Sequence, residues 1–110
     1  MPAKFELKKA KGNQFMFCLK APNGEVILSS ELYTTKTGAK NGIGSVCRNV
    51  ALAVRFERKT ARNGKSFFVL KAANHQVIGK SEMYDSKAAM ENGIKSVMKN
   101  AGAAKVDELS

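Results

Sequence analysis

The sequence predicts an α+β fold in which a β-β-β-α(-β) unit is written twice about a pseudo-two-fold axis, giving one mainly antiparallel sheet with two helices packed on one face. Three observations predict it. A shift of 51 positions superposes the two halves without a gap; the first part of each half alternates apolar and polar residues with period two; the second part changes to helical period. With 110 residues the chain has room for one modest core, so it is expected to form a single domain, 1–110, built from repeat 5–51 and repeat 56–102.

The repeat is read residue by residue. Phe5-Glu6 falls on Phe56-Glu57, Phe17 on Phe68, Leu19-Lys20-Ala21 on Leu70-Lys71-Ala72, and Val26-Ile27 on Val77-Ile78. Ser30-Glu31 then falls on Ser81-Glu82, Tyr33 on Tyr84, and Asn41-Gly42-Ile43 on Asn92-Gly93-Ile94. Two copies are too few for a solenoid, which needs three or more stacked units, so a gene-duplicated pseudo-symmetric pair is the expected arrangement.

Within each copy three strands come first. Phe5 and Leu7 alternate with Glu6 and Lys8, Phe15 to Leu19 is aromatic and β-favouring, and Glu25 to Ser29 is short and β-branched. Turn residues separate them, at Gly12-Asn13 and Asn63-Gly64 and again at Pro22-Asn23-Gly24 and Ala73-Asn74-His75. Hairpin partners share a face, which favours a three-residue bend at Gly12 to Gln14 with Leu7 opposite Leu19; either loop length fits the second bend. Helices follow from Lys36 to Asn49 and from Lys87 to Asn100, with Thr35 and Ser86 as N-caps and Asn49 and Asn100 as C-terminal stops. Their apolar stripes place Ile43, Val46, Ile94 and Val97 against Phe17, Leu19, Phe68 and Leu70 in one core. Gly42 and Gly93 lie inside these helices despite their cost there, and are expected to mark a close approach of helix and sheet.

The order strand, strand, strand, helix, with Ser-Glu-x-Tyr before the helix and Asn-Gly-Ile-x-Ser-Val inside it, resembles the YegP-like family of small bacterial proteins, over nearly the whole chain. The resemblance implies one sheet with exchange of the strands that follow the helices. Ala51 to Arg55 would be the first such strand and Ala103 to Glu108 the second. It implies no activity, cofactor or catalytic residue.

The residues exclude several chemistries. No Rossmann fingerprint, P-loop, HExxH helix or GxSxG elbow occurs, so neither cofactor nor metal is expected and an enzyme is not favoured. The one histidine, His75, is the counterpart of Gly24 and reads as a left-handed turn residue. Cys18 and Cys47 fit no redox or zinc spacing; with Val69 and Met98 as counterparts, both read as reduced, buried small hydrophobes. No apolar run suggests a signal peptide or a membrane span, so a cytoplasmic protein is expected.

Three features remain as candidate sites. Nineteen Lys and Arg against nine Asp and Glu give a formal charge of +10, which favours an anionic partner such as nucleic acid, with a protein partner as the other choice. The basic residues gather at the first hairpins, as Lys8, Lys9 and Lys11 in one copy and Arg58, Lys59, Arg62 and Lys65 in the other, with Lys20 and Lys71 extending them. The paired Ser30-Glu31-x-Tyr33 and Ser81-Glu82-x-Tyr84 segments would bring two carboxylates and two phenols to the axis, as a small-molecule or catalytic site or as structural staples. Strand parity turns Met16, Cys18, Phe67 and Val69 away from the helices; if bare, that face would support weak self-association. A non-enzymatic basic binding or structural module is therefore the expected function.

Overall fold

Alternating side chains and short turns build seven strands and two helices, described over residues 3–109 of a computed structural model. In chain order they are β1 (Lys4–Ala10), β2 (Gln14–Lys20), β3 (Val26–Ser29), α1 (Lys36–Asn49), β4 (Phe56–Thr60), β5 (Ser66–Lys71), β6 (Val77–Lys80), α2 (Lys87–Asn100) and β7 (Lys105–Glu108). All strands join one sheet in the order β4-β5-β6-β3-β2-β1-β7, antiparallel except for the parallel pair β1 and β7. The sheet is continuous across its centre through Ser29 opposite Lys80, where the pseudo-two-fold axis passes.

The first hairpin has the expected odd-length loop, but its tip is Lys11–Asn13 and the register pairs Leu7 with Phe17 and Phe5 with Leu19. The difference from the expected register is two residues, which leaves every side chain on its expected face, so apolar pairing alone does not distinguish the registers. Asn13 and His75, with φ of 60° and 70°, adopt the left-handed conformation of turn residues.

Thr35 and Ser86 cap their helices by accepting hydrogen bonds from the backbone N–H groups of Gly38 and Ala89, at 2.9 and 3.1 Å. The asparagines at the far ends act through their side chains: Nδ2 of Asn49 donates to the carbonyl of Ser45 and Nδ2 of Asn100 to that of Ser96. Both apolar stripes pack on one sheet face, so that Phe5, Leu7, Phe17, Leu19, Phe56, Phe68 and Leu70 share one core with Ile43, Val46, Ile94 and Val97. At the axis Leu28 is fully buried against Gly79, its counterpart; a Cβ there would lie 2.7 Å from Leu28 Cγ.

The expected strand over Ala51 to Arg55 is absent. The segment ends in a 3₁₀ turn, Ala53–Arg55, that leads straight into β4. The reason is covalent. β7 pairs in parallel with β1 of the other repeat. Its counterpart, residues 54–57, would have to pair with residues 55–58, which are the same chain. Joining the repeats in tandem therefore allows one exchanged strand and leaves the outer edge of β4 unpaired within the described residues.

Gly42 and Gly93 are required first by tyrosine, and at Gly42 also by the sheet, since a Cβ there would lie 3.0 Å from Phe17 Cε2 of β2. A Cβ at either would stand 2.3 Å from the hydroxyl of Tyr33 or Tyr84, whose rings stack on Phe17 and Phe68. Gly44 meets only the mobile end of Arg48, at 3.3 Å. In denaturant melts Gly93→Ala should destabilise by about 1–3 kcal/mol through overpacking, whereas Gly44→Ala should stabilise by up to about 1 kcal/mol through helix propensity. Equal effects at the two positions would contradict this packing.

Candidate functional site

The sheet face away from the helices collects side chains of one strand parity. β1 contributes Lys4, Glu6 and Lys8, β2 Met16, Cys18 and Lys20, β4 Glu57 and Lys59, β5 Phe67, Val69 and Lys71, β6 Lys80, and β7 Lys105 and Asp107. At these positions seven lysines face three carboxylates. Two ion clusters organise them, each built on a counterpart pair, Glu6 with Lys20 and Glu57 with Lys71. Glu6 accepts from Lys20 at 3.0 Å and Lys4 at 3.3 Å; Glu57 accepts from Lys71 at 2.9 Å and Lys59 at 3.5 Å. Asp107 extends the first cluster through Lys4 at 3.6 Å.

The hydrogen bond from Lys20 does most to hold the Glu6 carboxyl below its ordinary value, against the opposing effect of its burial; Lys71 does the same for Glu57. The lysine stems also cover apolar surface. Cys18 and Val69 are only 2% and 5% exposed, Met16 and Phe67 are half-buried, and the ammonium of Lys80 lies 5.1 Å from the Phe67 ring centroid. The apolar patch that strand parity places on this face is thus largely covered among the described residues.

The basic hairpins do not meet. β1 and β4 run antiparallel and stand five strand spacings apart, about 24 Å, so their tips lie at opposite ends and opposite sides of the sheet. Of the residues singled out there, Lys8 and Lys59 belong to the open face just described. Lys9 and Arg58 have the helix-side parity, and Arg58 is paired with Glu91 of α2. Lys11 and Arg62 sit at the two separate tips, with Lys65 just past the second, where it pairs with Asp85 at 3.2 Å.

The Ser-Glu-x-Tyr segments divide their roles. Ser30 Oγ accepts from the N–H of Phe17 at 2.9 Å and donates to the Glu31 carbonyl at 2.7 Å; Ser81 does the same with Phe68 and Glu82 at 3.0 and 2.8 Å. The hydroxyls thus complete the sheet where β2 and β5 are bridged by Tyr33 and Tyr84. Glu31 and Glu82, with Ser30, Ser81 and Lys80, line a shallow depression of about 320 Å³. The phenols are elsewhere, over the helix glycines, and desolvation, aided by the nearby glutamates, raises the pKa of each. The two segments therefore do not converge on one depression at the axis: Glu31 and Glu82 line the one just described, while Glu82 and Tyr84 together line a second, of about 400 Å³, with Glu25 and Ile27.

Cys18 is buried as expected, but Cys47 is exposed, because its helix position turns it beside the stripe; its Sγ–H reaches the Ala101 carbonyl at 3.6 Å. Desolvation raises both thiol pKa values. Among the described residues no three His, Cys, Asp or Glu side chains are grouped to hold a metal, and no helix is long and apolar enough to cross a membrane.

This fold is shared with known proteins. Residues 10–57 and again 61–108 match the family described as Domain of unknown function (DUF1508). The chain belongs to the DUF1508 family. Among its relatives, a UPF0339 protein of Shewanella oneidensis is 55% identical over 106 residues, 96% of each chain. The UPF0339 protein YegP of Escherichia coli K12 is 55% identical over 104 residues, 94% of each. The solution NMR structure of a UPF0339 protein from Shewanella oneidensis superposes with a TM-score of 0.92 at 54% identity, covering 99% of this chain and 92% of that one. That of yegP from E. coli, titled a protein of unknown function, gives 0.93 at 53%, covering 99% and 94%. The YegP-like resemblance read from the tandem motifs is correct, and the α+β fold with it.

The ion clusters make a pH prediction. A carboxylate whose folded pKa is depressed adds stability above its unfolded pKa, and that stability is lost as pH falls through the folded value. Thermal melts should therefore show the wild type losing stability below the ordinary carboxylate value of 4.5. The double variant Glu6→Gln/Glu57→Gln should show a flatter profile between about pH 5 and pH 2. Parallel profiles would mean that the clusters contribute nothing to folding.

Proposed function

We propose that this DUF1508 protein is a non-enzymatic binding module that presents the lysine face of its sheet to a polyanion, with nucleic acid as the partner. The observation that carries the reading is the excess of seven lysines over three carboxylates at the strand positions of one open face. A net +4 on one sheet face offers a phosphate chain a single continuous surface, which two hairpin tips at opposite ends of the sheet do not. Phe67, half-buried under Lys80, offers one ring on which a base can stack. No element offers base-edge readout in a groove, so binding would be insensitive to sequence. The depression at the axis favours no small-molecule reading, since both serine hydroxyls beside it are engaged by backbone.

Binding to duplex DNA and to single strands, measured by anisotropy against salt, tests this. On duplex DNA the log-log slope should be about −3 to −4, from roughly four phosphates at 0.9 each. The triple variant Lys8→Glu/Lys59→Glu/Lys80→Glu should weaken binding by about tenfold or more at about 50 mM salt. Reversal of Lys95 and Lys99, on the exposed side of α2, should have a much smaller effect. Absence of binding by the wild type at tens of micromolar, or an equal loss from both sets, would remove the proposal.

A further inference from the structure

The outer edge of β4 carries a site that the other half of the molecule already shows in use. In the first repeat the groove between β1 and α1 is filled by β7, which runs parallel to β1 with Leu7 opposite Glu108. Three kinds of contact hold it. The Leu109 N–H donates to the Leu7 carbonyl at 2.8 Å. Glu108 is bound by Lys40 at 2.9 Å and Lys36 at 3.7 Å, and Asp107 by Lys4 at 3.6 Å. The strand that would fill the equivalent groove beside β4 does not exist, for the covalent reason given above.

The equivalent groove retains the means to bind one. Arg58 is the counterpart of Leu7, and since Leu7 turns its backbone toward β7, Arg58 turns its own N–H and C=O outward, away from β5. Lys87 stands where Lys36 does. Arg55 stands where Lys4 does, and its Nε is buried without a hydrogen-bond partner among the described residues. A depression of about 230 Å³ between β4 and α2 is lined by Arg58, Thr60, Lys87, Met90 and Glu91. Glu91, which replaces Lys40, is held by Arg58. The charges on this side are then Arg55, Arg58 and Lys87 against Glu91, and two carboxylates from a ligand would balance them.

We infer that the β4 edge, together with the start of α2, binds an extended peptide in parallel register, one that carries two consecutive acidic residues as β7 carries Asp107-Glu108. The first carboxylate meets Arg55 and the second meets Arg58 and Lys87, while the peptide backbone pairs with Arg58 and Thr60 and with the Phe56 carbonyl, the Phe56 N–H being held by Ala53. The Arg58–Glu91 pair occupies the groove when no peptide is present and puts an inward charge on the edge, which discourages indiscriminate strand addition. The chain's own β7 does not compete for this site, because it is tethered beside β1 at high effective concentration. This inference is independent of the lysine face.

The probe is a fluorescein-labelled peptide Ala-Ala-Lys-Val-Asp-Glu-Leu, titrated into the full chain by anisotropy and followed by amide NMR. Saturable binding is expected, with shifts at the amides of Phe56, Arg58 and Thr60 and slowed exchange at Arg58. Changing Asp-Glu in the peptide to Asn-Gln should weaken it by about tenfold, roughly 1.4 kcal/mol. Arg58→Pro should abolish binding, since it removes an outward N–H while sparing the bonds to β5. Should that variant not fold, Arg55→Ala/Lys87→Ala should weaken binding by about tenfold or more. The double variant Arg58→Leu/Glu91→Lys, which copies the β1 groove, should bind the peptide more tightly than the wild type. The inference is overturned by the absence of β4 shifts at millimolar peptide, by shifts at β1 and β7 instead, or by equal binding of a scrambled peptide of the same charge. A dimer in sedimentation that protects the Arg58 amide without peptide would likewise overturn it, by giving the edge to a second copy.

Discussion

At the pseudo-two-fold axis the side chain of Leu28 lies against the backbone of Gly79, its own counterpart in the second repeat, and the continuity of the sheet depends on that contact. The junction between β3 and β6 has a single paired position, Ser29 with Lys80, so main-chain hydrogen bonds contribute little to it. Packing must hold it. Two leucines related by the axis would collide, and two glycines would leave a void, so one repeat carries the large residue and the other the absent one. α1 packs on β1 and β2 of its own repeat and on β5 and β6 of the other, while α2 packs on β5 and β3. Neither helix has a complete floor without the junction, which is why two repeats make one core.

The covalent link between the repeats decides the rest. A strand exchanged in both directions would cover both β1 and β4, but a single chain can place only one of the two strands. The side that receives β7 is closed by Lys36, Lys40 and Glu108. The side that receives nothing has a shorter strand, an arginine where the first has leucine, and the Arg58–Glu91 pair. The Leu28/Gly79 and Leu7/Arg58 differences thus fall at the axis and at the open edge, two places where the copies have different surroundings.

Much of this was legible in the sequence because the repeat supplies two readings of every element. Gly38, Gly42 and Gly44 weaken α1 as a helix, yet Ala88-Ala89-Met90 in the second copy makes the pattern plain, and both helices and caps stand where they were expected. The hairpin register was not legible, since a two-residue slip preserves every face. The tight fit of Tyr33 and Tyr84 over Gly42 and Gly93 was hidden because it pairs residues on separate elements, although the recurrence of Tyr and Gly at the same offset in both copies is the signal that carries it. Strand parity correctly turns Met16, Cys18, Phe67 and Val69 to the face away from the helices, but it does not show how far neighbouring lysine stems cover them. Basic residues close in sequence drew attention to the hairpin tips, whereas the sheet groups lysines that are far apart in the chain.

The claim that one large and one absent side chain at the axis join the repeats is tested by a double-mutant cycle at positions 28 and 79, read by denaturant unfolding. Leu28→Gly should destabilise by at least about 2 kcal/mol through the cavity it leaves. Gly79→Leu should destabilise by about 1–3 kcal/mol or more through overpacking. The reciprocal variant Leu28→Gly/Gly79→Leu restores one leucine and one glycine to the axis, so it should recover a large part of both losses, with a coupling of at least about 1 kcal/mol. Strictly additive losses would show that the two positions do not share a space, and would contradict the account of how the repeats are joined.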